Sequence, residues 1–134
     1  MKILNLTQHR ATPEQIAQGV VDPTDEQRAE ISRLLTFDDL PPSEDDLQDR
    51  AEAVAELALS IAAGIDAVNS VMIGGAPYFM VHLERECWTA GLRPLYAFAK
   101  RVSIEEQQAD GIVVKRNVFR HGGFVGLEFA EVKR

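Results

Sequence analysis

Four short stretches of the chain hold side chains suited to acid–base and anion chemistry. In Thr7-Gln8-His9-Arg10, the imidazole of His9 changes charge close to neutral pH and can act as acid, base or phosphate donor. Thr7, Gln8 and Arg10 beside it supply hydrogen-bond donors for anionic oxygens. Gly74-Gly75-Ala76-Pro77 lets backbone approach a ligand closely, and free amides at the start of a following helix attract phosphate oxygens. Lys100-Arg101 places two cations where an apolar run ends, a pair suited to phosphate or carboxylate. Arg120-His121 joins an anion binder to a second imidazole, and Gly122-Gly123 after it permits unusual backbone geometry. The residues alone leave a plainer reading open at each place: an exposed histidine, a tight strand-to-helix turn, a solvated strand end, a turn leaving a hairpin.

Other chemistries find no pattern. There is no His-x-x-x-His and no Asp-x-Asp at a strand end, so a catalytic metal has no expected ligand set. Gly-x-Ser-x-Gly is absent, as are Gly-x-Gly-x-x-Gly and a Walker loop with its lysine. No cofactor is therefore expected. Cys87 is alone, which rules out an intrachain disulfide or cysteine zinc site and fits a reducing cytoplasm. What remains is His, Arg, Lys, Gln, Thr and backbone amides, an inventory suited to a phosphodiester held without metal.

The elements that must position these residues follow from pattern. Lys2 to Thr7 reads as a first strand. Thr12-Pro13-Glu14-Gln15 and Thr24-Asp25-Glu26-Gln27 each carry a capping hydroxyl with Gln three residues on, so each starts a helix, the second with Ile31, Leu34 and Leu35 inward. Val20 and Val21 read as a brief extended link. Ser43 followed by three acids caps the next helix, in which Leu47, Ala51, Val54, Ala58, Ile61 and Ile65 recur at helical spacing and form a core face. Val68 to Ile73 reads as a buried parallel strand and Pro77 to about Ala90 as a helix stopped by Gly91. That helix has Met80, Leu83 and Cys87 inward and His82 on its exposed side. Leu92 to Ala99 reads as a third strand. Lys100 to Gln108 and Ile112 to Phe119 flank an Asp110-Gly111 hairpin turn, and Phe124 to Phe129 adds a last extended segment. The expected fold is one α/β domain over residues 1–134, a Rossmann-like open sheet with a parallel centre and a C-terminal antiparallel β-hairpin. Ligands of such sheets collect beyond the carboxyl ends of the strands, where Thr7 to Arg10, Gly74 to Ala76 and Lys100 to Arg101 are expected.

Length and charge narrow the partners. The chain has 134 residues, 46% hydrophobic and 26% charged, ordinary for one globular domain. Its longest apolar stretch, Leu57 to Ile65, falls short of the ~18 residues a membrane span needs, so no membrane association is expected. A net charge of −7 argues against duplex DNA binding. Residues 1–92 carry 16 acids and 6 bases, whereas residues 93–134 carry 5 acids and 8 bases, so an anionic ligand is sought near the second part.

The run from Asn5 to Gln15, the Gly74-Gly75-Ala76-Pro77-Tyr78 turn, Pro94-Leu95-Tyr96-Ala97-Phe98-Ala99-Lys100-Arg101 and Val118-Phe119-Arg120-His121 occur in the same order as in small CRISPR-associated proteins. Together they resemble the CARF-like ring nucleases of type III systems. The resemblance implies a Rossmann-like, CARF-like domain that forms a homodimer and holds a cyclic oligoadenylate across the two-fold axis. Some members cleave it through the ligand's own ribose 2′-hydroxyl, without metal, which damps the signal. By position, the resemblance implies proton transfer at His9, charge stabilisation at Lys100 and Arg101, and ligand contacts at Thr7, Gln8, Arg10, Gly74, Gly75, Arg120 and His121. The glycine turn departs from the form usual in that group. A binding module that sequesters the same nucleotide, and a domain that binds another protein, are the alternatives.

Overall fold

The computed structural model describes residues 1–126. The elements run β1 (Lys2–Asn5), α1 (Pro13–Ala17), β2 (Val20–Val21), α2 (Asp25–Leu35), α3 (Glu44–Ala63), β3 (Val68–Met72), α4 (Pro77–Thr89), β4 (Arg93–Gln107) and β5 (Val113–Gly126). Both capping boxes form: Thr12 Oγ1 accepts from the Gln15 amide and Thr24 Oγ1 from the Gln27 amide, with each Gln side chain accepting the threonine's own N–H in return. Ser43 caps α3, whose first turn carries Glu44, Asp45 and Asp46 against the positive end of the helix dipole.

The sheet order is β2-β1-β3-β4-β5. β1 pairs parallel with β2 and β3, β3 parallel with β4, and β4 antiparallel with β5. This is the expected α/β fold with parallel centre and antiparallel hairpin. Val20 and Val21, expected as a mere link, form a short parallel edge strand because the helical turn ahead of them returns the chain alongside β1. The expected third strand and first hairpin strand are one continuous 15-residue strand, β4. Phe124 to Gly126 completes β5, and the rest of the expected last segment, residues 127–129, lies outside the described residues.

One face of the sheet is covered by three helices. Leu4, Leu6, Val71 and Ile73 pack against Ile31, Leu34 and Leu35 of α2, against Leu47, Ala51, Val54, Ala58 and Ile61 of α3, and against Phe79, Met80, Leu83 and Cys87 of α4. The four- and three-residue spacing of α3 is what presents that stripe. Ile65, expected on the same stripe, follows the helix and is only partly buried. The opposite face carries a smaller cluster, Ile3, Val20, Met72 and Leu95, with Ala11 and Phe124 packed on it. Here α1 meets both edge strands, β2 and β5, so the sheet curls around it into an open half-barrel. Gln18 Oε1 and His121 Nε2, 2.8 Å apart, close the gap between the two ends.

Candidate functional site

From β1 the chain crosses to β2 on one side, and from β3 it crosses to β4 on the other. A crevice opens between the carboxyl ends of β1 and β3, the topological switch point where α/β sheets hold ligands. A hollow of about 450 Å³ lies there, within the range of small-ligand sites. Thr7, Gln8, His9 and Arg10 line it from the β1 loop, Gly74 and Gly75 from the loop after β3, and Tyr96 and Ala97 from β4 as it passes. A Cβ at Gly74 would sit 3.6 Å from Thr7 Cγ2, in ordinary contact, which measures how closely the two loops approach. Ala76 begins α4 without a side-chain cap, unlike the starts of the three other helices.

The His9 loop is held by a buried polar clasp. The Asn5 Nδ2 amide donates to the His9 carbonyl at 2.7 Å and to Asp22 Oδ1 at 2.9 Å. Asn5 Oδ1 accepts from the Thr7 amide at 2.9 Å and the Thr7 hydroxyl at 2.7 Å. Asp22 also accepts from the Ala11 amide at 3.1 Å and faces Arg28 Nη2 at 3.4 Å. The loop is thus tied at both ends to β1 and to the segment after β2, while His9 itself stays exposed. Arg10 pairs with Asp25 at 2.9 Å, both side chains largely in solvent, where such a pair holds weakly. Asn5 and Asp22 were not singled out by residue type. Their sequence signals are an amide inside the apolar run Ile3-Leu4-Asn5-Leu6 and an acid immediately before Pro23.

A second hollow of about 200 Å³ adjoins the first, sharing Thr12, Gln15 and Ala97 with it and bordered by Phe119, Arg120 and His121. His121 stacks edge-on to Phe124, 4.9 Å between ring centroids. Six of the ten candidates, Thr7 to Arg10 with Gly74 and Gly75, therefore share one hollow, and Arg120 and His121 border its neighbour. Lys100 and Arg101 line neither. Strand alternation also separates them. Lys100 lies opposite Arg120, and Arg101 lies opposite Phe119, its guanidinium 5.8 Å from the ring centroid. The adjacent cations thus face opposite sides of the hairpin, and so do Arg120 and His121. A bulge between Ala97 and Ala99, taken up at Gly122-Gly123 with Gly123 at φ +111°, resets the β5 register and turns His121 toward α1.

His82, expected in solvent, is half-buried, with Nδ1 3.1 Å from Gln48 Oε1 between α4 and α3. Burial, with Glu86 adding to it, pushes the Cys87 thiol up to about 12. The Tyr96 hydroxyl is pushed up as well, mainly by burial and then by its 2.5 Å hydrogen bond to Glu84. No group of three or more His, Cys, Asp or Glu side chains able to hold a metal occurs among the described residues. Nor is any described helix long and apolar enough to cross a membrane.

Residues 1–125 match the family described as Uncharacterized protein MJ1673 family. No curated protein and no solved structure matches the chain.

Proposed function

The chain belongs to the MJ1673 family, and we propose that its switch-point hollow binds a cyclic oligoadenylate and cleaves it without metal, as the resemblance to CARF-like ring nucleases of type III CRISPR systems implies. The observation that carries the reading is the placement of Thr7, Gln8, His9 and Arg10 against Gly74-Gly75 in one crevice at the strand ends. Amide, imidazole and guanidinium donors there suit the non-bridging oxygens of a phosphodiester, while the Thr7 hydroxyl is taken up by Asn5 Oδ1 at 2.7 Å. The adjoining hollow beside His121 offers room for a further part of the ring.

In the cleavage step the ribose 2′-oxygen attacks the adjacent phosphorus and the bond to the 5′-oxygen breaks. The 2′-hydroxyl proton is lost, a proton is delivered to the leaving 5′-oxygen, and a linear product ends in a 2′,3′-cyclic phosphate. His9 is the group for one of these transfers, and Arg10 with backbone amides steadies the charge on phosphorus. Charge stabilisation by Lys100 and Arg101 would require the ring to extend along the hairpin or to reach a second copy in a homodimer, since neither side chain lines the hollow. That same placement favours a second reading, a module that sequesters the ring intact.

The test is incubation of the purified protein with cyclic oligoadenylates of several ring sizes in EDTA, followed by chromatography and mass spectrometry. A linear product that falls at least ~100-fold in rate in His9→Ala supports cleavage. A tight unreacted complex supports sequestration, and no interaction with any ring overturns both.

A further inference from the structure

Beyond Leu95, β4 leaves β3 and continues with β5 as a two-stranded ribbon. β3 pairs with β4 only from Arg93 to Leu95, whereas β4 and β5 stay paired out to Gln107 and Val113. Beyond Tyr96, Phe124 and His121, which pack on the body, the eight residues Lys100 to Gln107 paired with Val113 to Arg120 make an arm ~26 Å long. An isolated two-stranded ribbon is marginal in water. This one also leaves Phe98 51% exposed on its Lys100 face, apolar surface that a partner could cover.

Its charge says by what. On one face, Phe98, Lys100, Val102, Ile104 and Glu106 of β4 alternate with Val114, Arg116, Val118 and Arg120 of β5, and Arg116 pairs with Glu106 at 3.5 Å. Lys100 stands directly opposite Arg120, a like-charge pair that destabilises a ribbon unless an acid meets it, and no described carboxylate bonds to either. The rest of the chain is strongly acidic, a net of −10 over residues 1–92. Along α3, Asp45, Asp49, Glu52 and Glu56 are exposed at spacings of four, three and four, a continuous stripe. Glu52, Glu56 and Glu86 with the exposed Leu59 line a groove of about 260 Å³ between α3 and α4. An apolar surface studded with cations thus has its counterpart on another copy of the same chain.

We propose that the β4–β5 arm is a dimerisation arm, which in a two-fold pair lays its Lys100–Arg120 face on the acidic α3–α4 groove of the second copy. Two arms and two receiving strips of the groove, each ~26 Å by ~10 Å, together bury ~1,000 Å², the lower bound for a specific interface. The inference adds the contact surface to the homodimer named above and does not depend on its nucleotide.

The test combines charge reversal with mixing, read by sedimentation at low salt. The wild-type chain is expected as a dimer. Lys100→Glu/Arg120→Glu and, separately, Glu52→Lys/Glu56→Lys are each expected to weaken it at least ~30-fold. An equimolar mixture of the two variants restores a dimer within ~5-fold of wild type, because each arm then meets a groove of opposite sign. Circular dichroism confirms that both variants fold, and the mixture provides a second check. A monomeric wild-type chain, reversed variants that stay dimeric, or a mixture that stays monomeric overturns the proposal. A monomer that still binds the cyclic nucleotide overturns the arm alone, and a dimer with the expected reversals that binds no ring overturns the nucleotide reading alone.

Discussion

Asn5 is the residue whose replacement tests the site's construction most directly. It is fully buried and makes four hydrogen bonds, to the His9 carbonyl, to Asp22 and twice to Thr7. Asn5→Ala removes them all. Asp22 keeps its bond from Ala11, and water can reach the exposed His9 segment, so one or two groups are left unsatisfied at about 1–3 kcal/mol each. The expected loss is ~3 kcal/mol, or a fall in Tm of roughly 10 °C for a domain of this size. Asn5→Asp keeps the shape but exchanges the donating Nδ2 for an acceptor facing Asp22 Oδ1 at 2.9 Å and the His9 carbonyl at 2.7 Å. At neutral pH it is expected to cost more than Asn5→Ala, ~4–5 kcal/mol. Burial and the Asp22 charge raise the new carboxyl's folded pKa above its unfolded value of ~3.9. The protonated form is then favoured in the fold. The extra cost is therefore absent below that unfolded value and grows as pH rises through the folded one. Urea denaturation of both variants between pH 4 and 7 measures this. If Asn5→Asp proves no worse than Asn5→Ala at pH 7, or if the gap between them does not widen with pH, the clasp does not hold the loop as described.

Other perturbations separate core, loop and site. Phe79→Ala empties a fully buried ring position between α4 and the sheet and is expected to cost ~3–5 kcal/mol in urea denaturation. A loss below about 1 kcal/mol would contradict the packing. Cys87, buried and with its thiol held up to about 12, is expected to ignore a disulfide reagent at pH 8 in the native protein and to react at once in denaturant. Native-state labelling at the rate of a free thiol would refute its burial. Arg10→Ala removes an exposed ion pair and is expected to change stability by less than about 0.5 kcal/mol in thermal melts. Under the proposed function, the same change is expected to weaken binding of the cyclic oligoadenylate about tenfold by calorimetry, and unchanged affinity would remove Arg10 from the proposed site.

The elements were legible in the chain because their signals are short-range. Thr12 with Gln15 and Thr24 with Gln27 start helices through bonds that span three residues. The α3 stripe from Leu47 to Ile61 is a matter of helical period alone. Gly111 at φ +85° makes the turn expected at Asp110-Gly111. Asn5 escaped notice because an amide in an apolar strand looks like an interruption until its partners, up to seventeen residues away, are in place.

Residue order alone determined the helices, most of the strand segments and the placing of the His9 loop and glycine turn at strand ends, since each depends on neighbours within a turn or two. It did not determine which candidates meet. Bringing Thr7 to Arg10 against Gly74-Gly75 depends on β1 and β3 lying side by side in the sheet. The division of Lys100 from Arg101 depends on one strand running unbroken from Arg93 to Gln107, and the turn of His121 toward Gln18 on a single bulge. Strand order, continuity and register are settled by long-range pairing, and in a structure whose side chains alternate faces every residue, they decide where each cation points.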